Sequence, residues 1–201
     1  MELLLPRACA GCSFPGVVLC DSCREELREP PRRVYRRVLI DVPVFSLGSY
    51  SEVRRNIIIA MKEYNNRAVR PYVGAVLHAG LEYLIARGDI PTEMVLVPAP
   101  TRRKSAALRG GDPVVDLCRA TGRDVHRCVR ISGGAADQST LSAAARRDNM
   151  RRSVELYAPA PKAPVMVIDD VMTTGSTLAA TVEVLRGAGA KIAGGLVFAD
   201  V

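Results

Sequence analysis

The chain has 201 residues, 48% of them hydrophobic, and carries 28 basic against 21 acidic side chains for a net charge of +7. That length holds one ordinary domain plus a small appendage, and with no Trp and three Phe the core must be built from Val, Leu, Ile and Ala. No stretch approaches a membrane span, and Leu3-Leu4-Leu5 is too short for the apolar region of a signal peptide, so the chain reads as cytoplasmic. The positive balance favours polyanionic partners, phosphorylated metabolites or nucleic acid. Only Lys62, Lys104, Lys162 and Lys191 are lysines, however, and an arginine cluster is informative only beside a motif.

Cys9-Ala10-Gly11-Cys12 and Cys20-Asp21-Ser22-Cys23 are two C-x-x-C knuckles separated by seven residues. Each sets two thiolates on one side of a tight turn, and two such turns supply the four soft ligands of a tetrahedral zinc. The alternatives are disulfides and small buried side chains; a cytoplasmic setting argues against the first and the paired spacing against the second. With four ligands filled and no His nearby, the zinc would be structural, giving a short segment the folding energy its core lacks.

Residues 24–43 begin with a charged helix-like piece and continue through Pro30-Pro31 and four arginines, which reads as a linker. A strand over 45–50 follows, then a helix over 51–64 opening on an N-cap Ser51 with Val53, Ile57, Ile58 and Met61 inward. Lys62 near its end is either a phosphate contact or a surface lysine lying along its own stem. Residues 67–87 predict a second helix, with His78 at the edge of the core.

Met94-Val95-Leu96-Val97 predicts a buried strand ending in Pro98-Ala99-Pro100-Thr101-Arg102-Arg103-Lys104. Strand ends of an open parallel sheet gather in one crevice. Three cations in a row there suit a pyrophosphate, with Arg109 as a further contact; an exposed basic turn is the other reading. A helix over 112–120 and a strand over 125–131 follow, with Cys118 and Cys128 as packing residues. Residues 132–138 are small and polar, a lid or a loose connection. A helix over 142–152 and a short strand over 154–157 precede a proline-rich loop.

The sequence from Val165 to Leu178 reads VMVIDDVMTTGSTL. Val165 to Ile168 is the unbroken apolar run of a strand buried on both faces, and Asp169 and Asp170 follow at its carboxyl end. Thr173, Thr174, Gly175, Ser176 and Thr177 form a hydroxyl-rich turn into a helix over 178–185. Backbone N–H groups, the helix dipole and the hydroxyls converge there, which suits a phosphate. There is no G-x-x-x-x-G-K-[ST] pattern, so a nucleoside triphosphate is not the first choice. Carboxylates accept well from vicinal hydroxyls, so a sugar phosphate fits better. A plain strand–turn–helix in which Thr and Ser only cap the helix is the competing reading. A last strand runs over 192–198.

On these residues the stretch resembles the ribose-phosphate signature of type I phosphoribosyltransferases. The order of parts resembles one group in particular, the competence protein F (ComF)-type phosphoribosyltransferase-like proteins, which join a four-cysteine zinc element to such a domain. Further matches are Pro98-Ala99-Pro100, Gln138 with Leu141-Ser142, Arg146-Arg147-Asp148-Asn149, and Lys62. One segment departs: where R-G-F-N-Q is usual, this chain has Arg109-Gly110-Gly111-Asp112-Pro113.

The resemblance implies an α/β type I phosphoribosyltransferase fold, a parallel sheet flanked by helices. A zinc element would span residues 1–28, a linker 29–43 and the main domain 44–201. It implies that Asp169 and Asp170 are the catalytic-site acids on the ribose 2′ and 3′ hydroxyls of phosphoribosyl pyrophosphate (PRPP). Residues Thr173 to Thr177 would hold the 5′-phosphate, and Arg102, Arg103, Lys104, Arg109 and Lys62 the pyrophosphate. Cys9, Cys12, Cys20 and Cys23 would bind structural zinc, and Mg²⁺ would enter with PRPP. The activity implied is transfer of ribose 5-phosphate to a nitrogen acceptor. The alternatives are a non-catalytic PRPP- or nucleotide-binding module, and a protein handling single-stranded DNA in transformation, with nucleic acid or competence-machinery proteins as partners.

Overall fold

A computed structural model describes residues 8–35, 41–101, 111–132 and 154–201. The expected Arg102, Arg103, Lys104 and Arg109, the 142–152 helix, and the Gln138 and Arg146–Asn149 matches lie outside the described residues.

The sheet has five strands in the order β1 (Arg32–Arg33), β2 (Val44–Ser46), β7 (Ile192–Asp200), β6 (Val165–Met172), β3 (Val95–Pro98). β2, β7, β6 and β3 are parallel, and β1 pairs antiparallel with β2 at the edge, within the stretch expected to be a linker. β4 (Val129–Ile131) and β5 (Val154–Leu156) make a separate antiparallel ribbon.

Alternation along the central strands explains why both faces are covered. Met166 and Ile168 of β6 join Leu96, Leu196 and Phe198 in one buried cluster, with α2 (Glu52–Lys62), α3 (Arg70–Ala86) and α4 (Pro113–Ala120) packed on that side. Val165 and Val167 point the other way, into a second cluster with Val97, Val197 and α5 (Ser176–Gly187). Strands apolar at every position need this two-sided cover. The N-terminal segment, with α1 (Asp21–Glu26), shares the first core: Cys9, Leu19, Cys23 and Leu27 are buried with Phe45 and Leu47.

Caps behave as the side chains dictate. Ser51 accepts from Arg54 N–H at the start of α2, and Asp112 accepts from Val114 N–H at the start of α4. Several bounds differ from those expected. β6 does not stop at Ile168 but runs through both acids to Met172, because β7 is long enough to keep pairing, Asp169 with Val197 and Met172 with Asp200. The stretch over 125–131 is a strand only from Val129; Val125 makes a single bridge to Leu96. The helix over 67–87 opens with a 3₁₀ turn, Arg67–Val69, and His78 is exposed rather than at the core edge. Cys118 and Cys128 are fully buried packing residues.

Candidate functional site

The knuckles bring Cys9, Cys12, Cys20 and Cys23 together, with all four Sγ atoms within 4.8 Å of one another. A tetrahedral zinc with bonds near 2.3 Å requires sulfurs about 3.8 Å apart, so the set fits that ion. The described cysteines are free, and Cys12 and Cys20 Sγ lie 3.6 Å apart, too far for a disulfide. Burial raises the Cys9 thiol, but backbone N–H groups of Cys20, Cys12 and Gly11 outweigh it and bring the thiol down to about 6. Cys20 N–H lies 3.3 Å from Cys9 Sγ. Gly11 has to be a glycine, because a Cβ there would sit 2.6 Å from Cys23 Sγ.

α2 ties this cluster to the sheet. Asn56 Nδ2 donates to Gly11 O at 2.8 Å. Arg54, 1% exposed, donates to Leu47 O at 2.8 Å and Glu26 O at 3.2 Å and lies 3.5 Å from Glu29. Ser51 Oγ donates to Glu26. The sequence pattern passed over Asn56 and Arg54; the available signal was an arginine on the same face of the helix as Ile57, Ile58 and Met61, whereas Asn56, half-buried on another face, gave none.

At the other end of α2, Lys62 Nζ is 2.6 Å from Asp170 Oδ2, an ion pair with Asp170 almost wholly buried. Lys62 therefore belongs to the strand-end site and not to an open surface. Asp170 Oδ1 accepts from Val171 N–H at 2.7 Å, and Asp169 Oδ1 from Asp170 N–H at 2.8 Å. Burial, with the neighbouring Asp170 carboxylate second, pushes Asp169 up to about 8.

Beyond the acids the chain turns through Thr173 and Thr174 to Gly175, whose φ of 80° is the left-handed conformation that glycine adopts without strain. Gly175 stands at the N-cap of α5 and offers no capping side chain; Ser176 N–H donates to Thr174 Oγ1 at 3.3 Å, and the N–H groups that follow it need other partners. Thr174 Oγ1 and Ser176 Oγ lie 2.8 Å apart beside them. An anion placed there would meet hydroxyl donors, N–H groups and the positive helix end together.

β3 is the neighbour of β6, with Pro98 opposite Ile168 and Ala99 N–H donating to Ile168 O at 2.7 Å. The expected pyrophosphate loop thus starts one strand away from the acids, and of its residues Pro98 to Thr101 are described. Asp112, noticed in the sequence only as a helix start in the departing segment, accepts from Thr101 Oγ1 at 3.3 Å. Burial raises its carboxyl.

Among the described residues no helix is long and apolar enough to cross a membrane. No family model matches the chain. The chain is 27% identical over 191 residues to "DNA utilization protein YhgH" of Escherichia coli K12, covering 90% of this chain and 79% of the relative. Among solved structures it is similar to orotate phosphoribosyltransferase from Aeropyrum pernix, at 23% identity and a TM-score of 0.36, over 63% of this chain and 60% of that one. It is also similar to adenine phosphoribosyltransferase from Saccharomyces cerevisiae, at 14% identity and a TM-score of 0.41, over 90% of each chain. In its four-cysteine cluster, its mostly parallel sheet and its relative spanning nine-tenths of the sequence, the chain resembles the ComF-type phosphoribosyltransferase-like proteins.

Proposed function

We propose that the chain binds PRPP with Mg²⁺ in the cytoplasm and transfers ribose 5-phosphate to a nitrogen acceptor. The observation that carries this reading is the convergence of Asp169, Asp170 and Lys62 with the left-handed Gly175 and the uncapped start of α5. The α5 start would hold the 5′-phosphate, and Asp169 and Asp170 would accept from the ribose hydroxyls. Arg102, Arg103, Lys104 and Arg109, with Lys62, are assigned to the pyrophosphate. In the transfer the C1–O bond to pyrophosphate breaks and a C1–N bond forms, through a transition state resembling an oxocarbenium ion. The site's task is then charge stabilisation and positioning.

The donor set fits a hard cation: two adjacent carboxylates can share Mg²⁺ with substrate oxygens and water. When bound, Mg²⁺ would neutralise the leaving pyrophosphate. The four thiol groups fit zinc, whose part is to hold the N-terminal segment folded.

Isothermal titration with PRPP and Mg²⁺, followed by a pyrophosphate-release screen over nitrogen acceptors, tests the reading. Binding with release is expected; binding without release for any acceptor would leave a non-catalytic module, and no binding would reject both. The name of the Escherichia coli relative, a DNA utilization protein, supports a second reading, the handling of DNA. A salt-dependent shift of single-stranded DNA would carry it, although an aromatic content of 4% leaves few platforms for base stacking.

A further inference from the structure

The four thiols of the cysteine cluster are not equally placed. Cys9 and Cys23 are buried, whereas Cys12 is exposed and Cys20 half-buried. Cys12 stands with Ser13 and Phe14 at the tip of the first knuckle, all three open to solvent, and its Sγ lies 3.6 Å from that of Cys20. The two thiols that solvent reaches are therefore neighbours. A movement of about 1.6 Å would bring them to disulfide bonding distance.

Cys20 also opens α1, and Cys23 lies in the first turn of that helix. Cys20 gives α1 no capping side chain, and a helix of six residues does not hold itself in water. α1 is held by the cluster on one side and by the main domain on the other. On the domain side Glu26 accepts from Ser51 Oγ and, at its backbone, from Arg54 at 3.2 Å. Arg24 donates to Tyr72 Oη at 3.3 Å, its guanidinium 4.8 Å from the ring centre. The seam beside these contacts is incompletely filled: a cavity of about 520 Å³ lies between Leu19, Arg24 and Leu27 and the α3 residues Tyr72, Val76 and Tyr83. Displacing α1 would open an apolar seam that is already loosely packed.

We propose that Cys12 is an oxidant-accessible modification site, and that its disulfide with Cys20 is a redox latch that frees the N-terminal segment from α3. The latch rests on the zinc reading for the ion that is given up; the neighbouring thiols do not depend on it. The oxidant is a peroxide. The Cys12 thiolate attacks one oxygen of hydrogen peroxide, an S–O bond forms as the O–O bond breaks, and hydroxide leaves. The Cys20 thiolate attacks that sulfur, an S–S bond forms as the S–O bond breaks, and a second hydroxide leaves. The two sulfurs lose two electrons, the peroxide gains them, and both hydroxides are protonated to water. Cys9 and Cys23 remain, half of a tetrahedral set, so the segment loses its metal and α1 its anchor. A dithiol reverses the step, and in a reducing compartment such a disulfide is transient, which suits a sensor.

The full chain, purified under reductant and analysed for metal, is treated with hydrogen peroxide in the presence of a chromogenic zinc chelator. Disulfide mapping by mass spectrometry, hydrogen exchange and the fluorescence of a dye for apolar surface are read on the same samples. A peptide pair linking Cys12 to Cys20 is expected, formed as about one zinc per chain is released. The Leu27 amide should exchange about tenfold faster or more while β6 and β7 stay protected. Dye fluorescence should rise, and dithiothreitol with zinc should restore the starting state. A first link through Cys9 or Cys23, or no link at all, would overturn the modification site. A Cys12-to-Cys20 link with unchanged exchange at Leu27 would overturn the latch. If the link forms in protein that carries no zinc, the modification site stands and the zinc reading falls. If zinc is present and peroxide leaves the cluster reduced, the proposal falls and the zinc reading stands.

Discussion

The cysteine cluster and the strand-end site are built in opposite ways. Between Cys9 and Cys23 every ligand, the tight turns and the required Gly11 lie in one short segment, so the local sequence contains the site. The strand-end site draws Asp169, Asp170 and Gly175 from one segment, but Lys62 from α2 and Asp112 from the start of α4. On the proposed reading the first depends on chelation and the second on the fold. α2 touches both, with Asn56 on Gly11 and Lys62 on Asp170, six residues or about 9 Å apart along the helix. The chelating end can therefore be damaged with a local loss of structure, while the strand-end site responds to changes in several elements.

The largest effect is expected at the cysteines. A Cys9→Ser/Cys12→Ser protein should not bind the zinc proposed for this cluster, an ion worth about 10 kcal/mol or more of apparent binding free energy in four-ligand sites. Hydrogen exchange should then show Leu19 and Leu27 amides unprotected while β6 and β7 stay protected. Loss of protection in all of these together would mean that the cluster holds the whole core and that the two regions are not separable.

Next come the acids. Asp169→Asn/Asp170→Asn keeps volume but removes the Asp170 carboxylate paired with Lys62 and, above pH 8, a second charged acceptor at Asp169; hydrogen bonds to charged groups are worth about 1.5–3 kcal/mol each, so PRPP affinity titrated above pH 8 should fall tenfold or more. Asp169 also gives a pH signature. Its carboxyl is raised in the folded protein from an ordinary 3.8 to about 8, so between those values the folded state holds a proton that the unfolded state has released. Stability from this group is present below pH 4 and is lost as pH rises toward 8. Urea unfolding at pH 5 and pH 8 should show this decline in the parent and a smaller one in Asp169→Asn protein; an equal decline in both would reject a raised carboxyl at the half-buried Asp169.

The smallest effect is expected at a single hydroxyl. Thr174→Ala removes one donor, and the partner of Ser176, while the α5 N–H groups remain, so ribose 5-phosphate binding should weaken by about 1 kcal/mol. A loss as large as that of the acid pair would make side-chain hydroxyls, not backbone geometry, the main phosphate contact.

Much of this was legible in the sequence because it is periodic or local. The apolar run of β6, the Ser51 cap, the knuckles and the glycine before α5 each follow from neighbouring residues. The length of β6 was not, because its last four residues are held in the sheet by pairing with β7. Nor was the Lys62–Asp170 contact, since a lysine at a helix end has the same local pattern whether it meets solvent or a carboxylate from a strand more than a hundred residues away. Asp112 looked like a cap and is one; its place on a cavity wall depends on β3 and β4, which no helix pattern encodes.

The central claim is that the turn from β6 into α5 holds a sugar phosphate through its backbone, with Gly175 at a φ of 80°. A branched side chain is strained at that φ and would crowd the N–H groups. Calorimetric titration of ribose 5-phosphate into parent and Gly175→Val protein, with thermal unfolding to establish that both are folded, tests it directly. The account predicts binding by the parent and nearly none by the variant. Equal binding by a folded Gly175→Val protein would contradict it and leave residues 173–177 as a helix cap only.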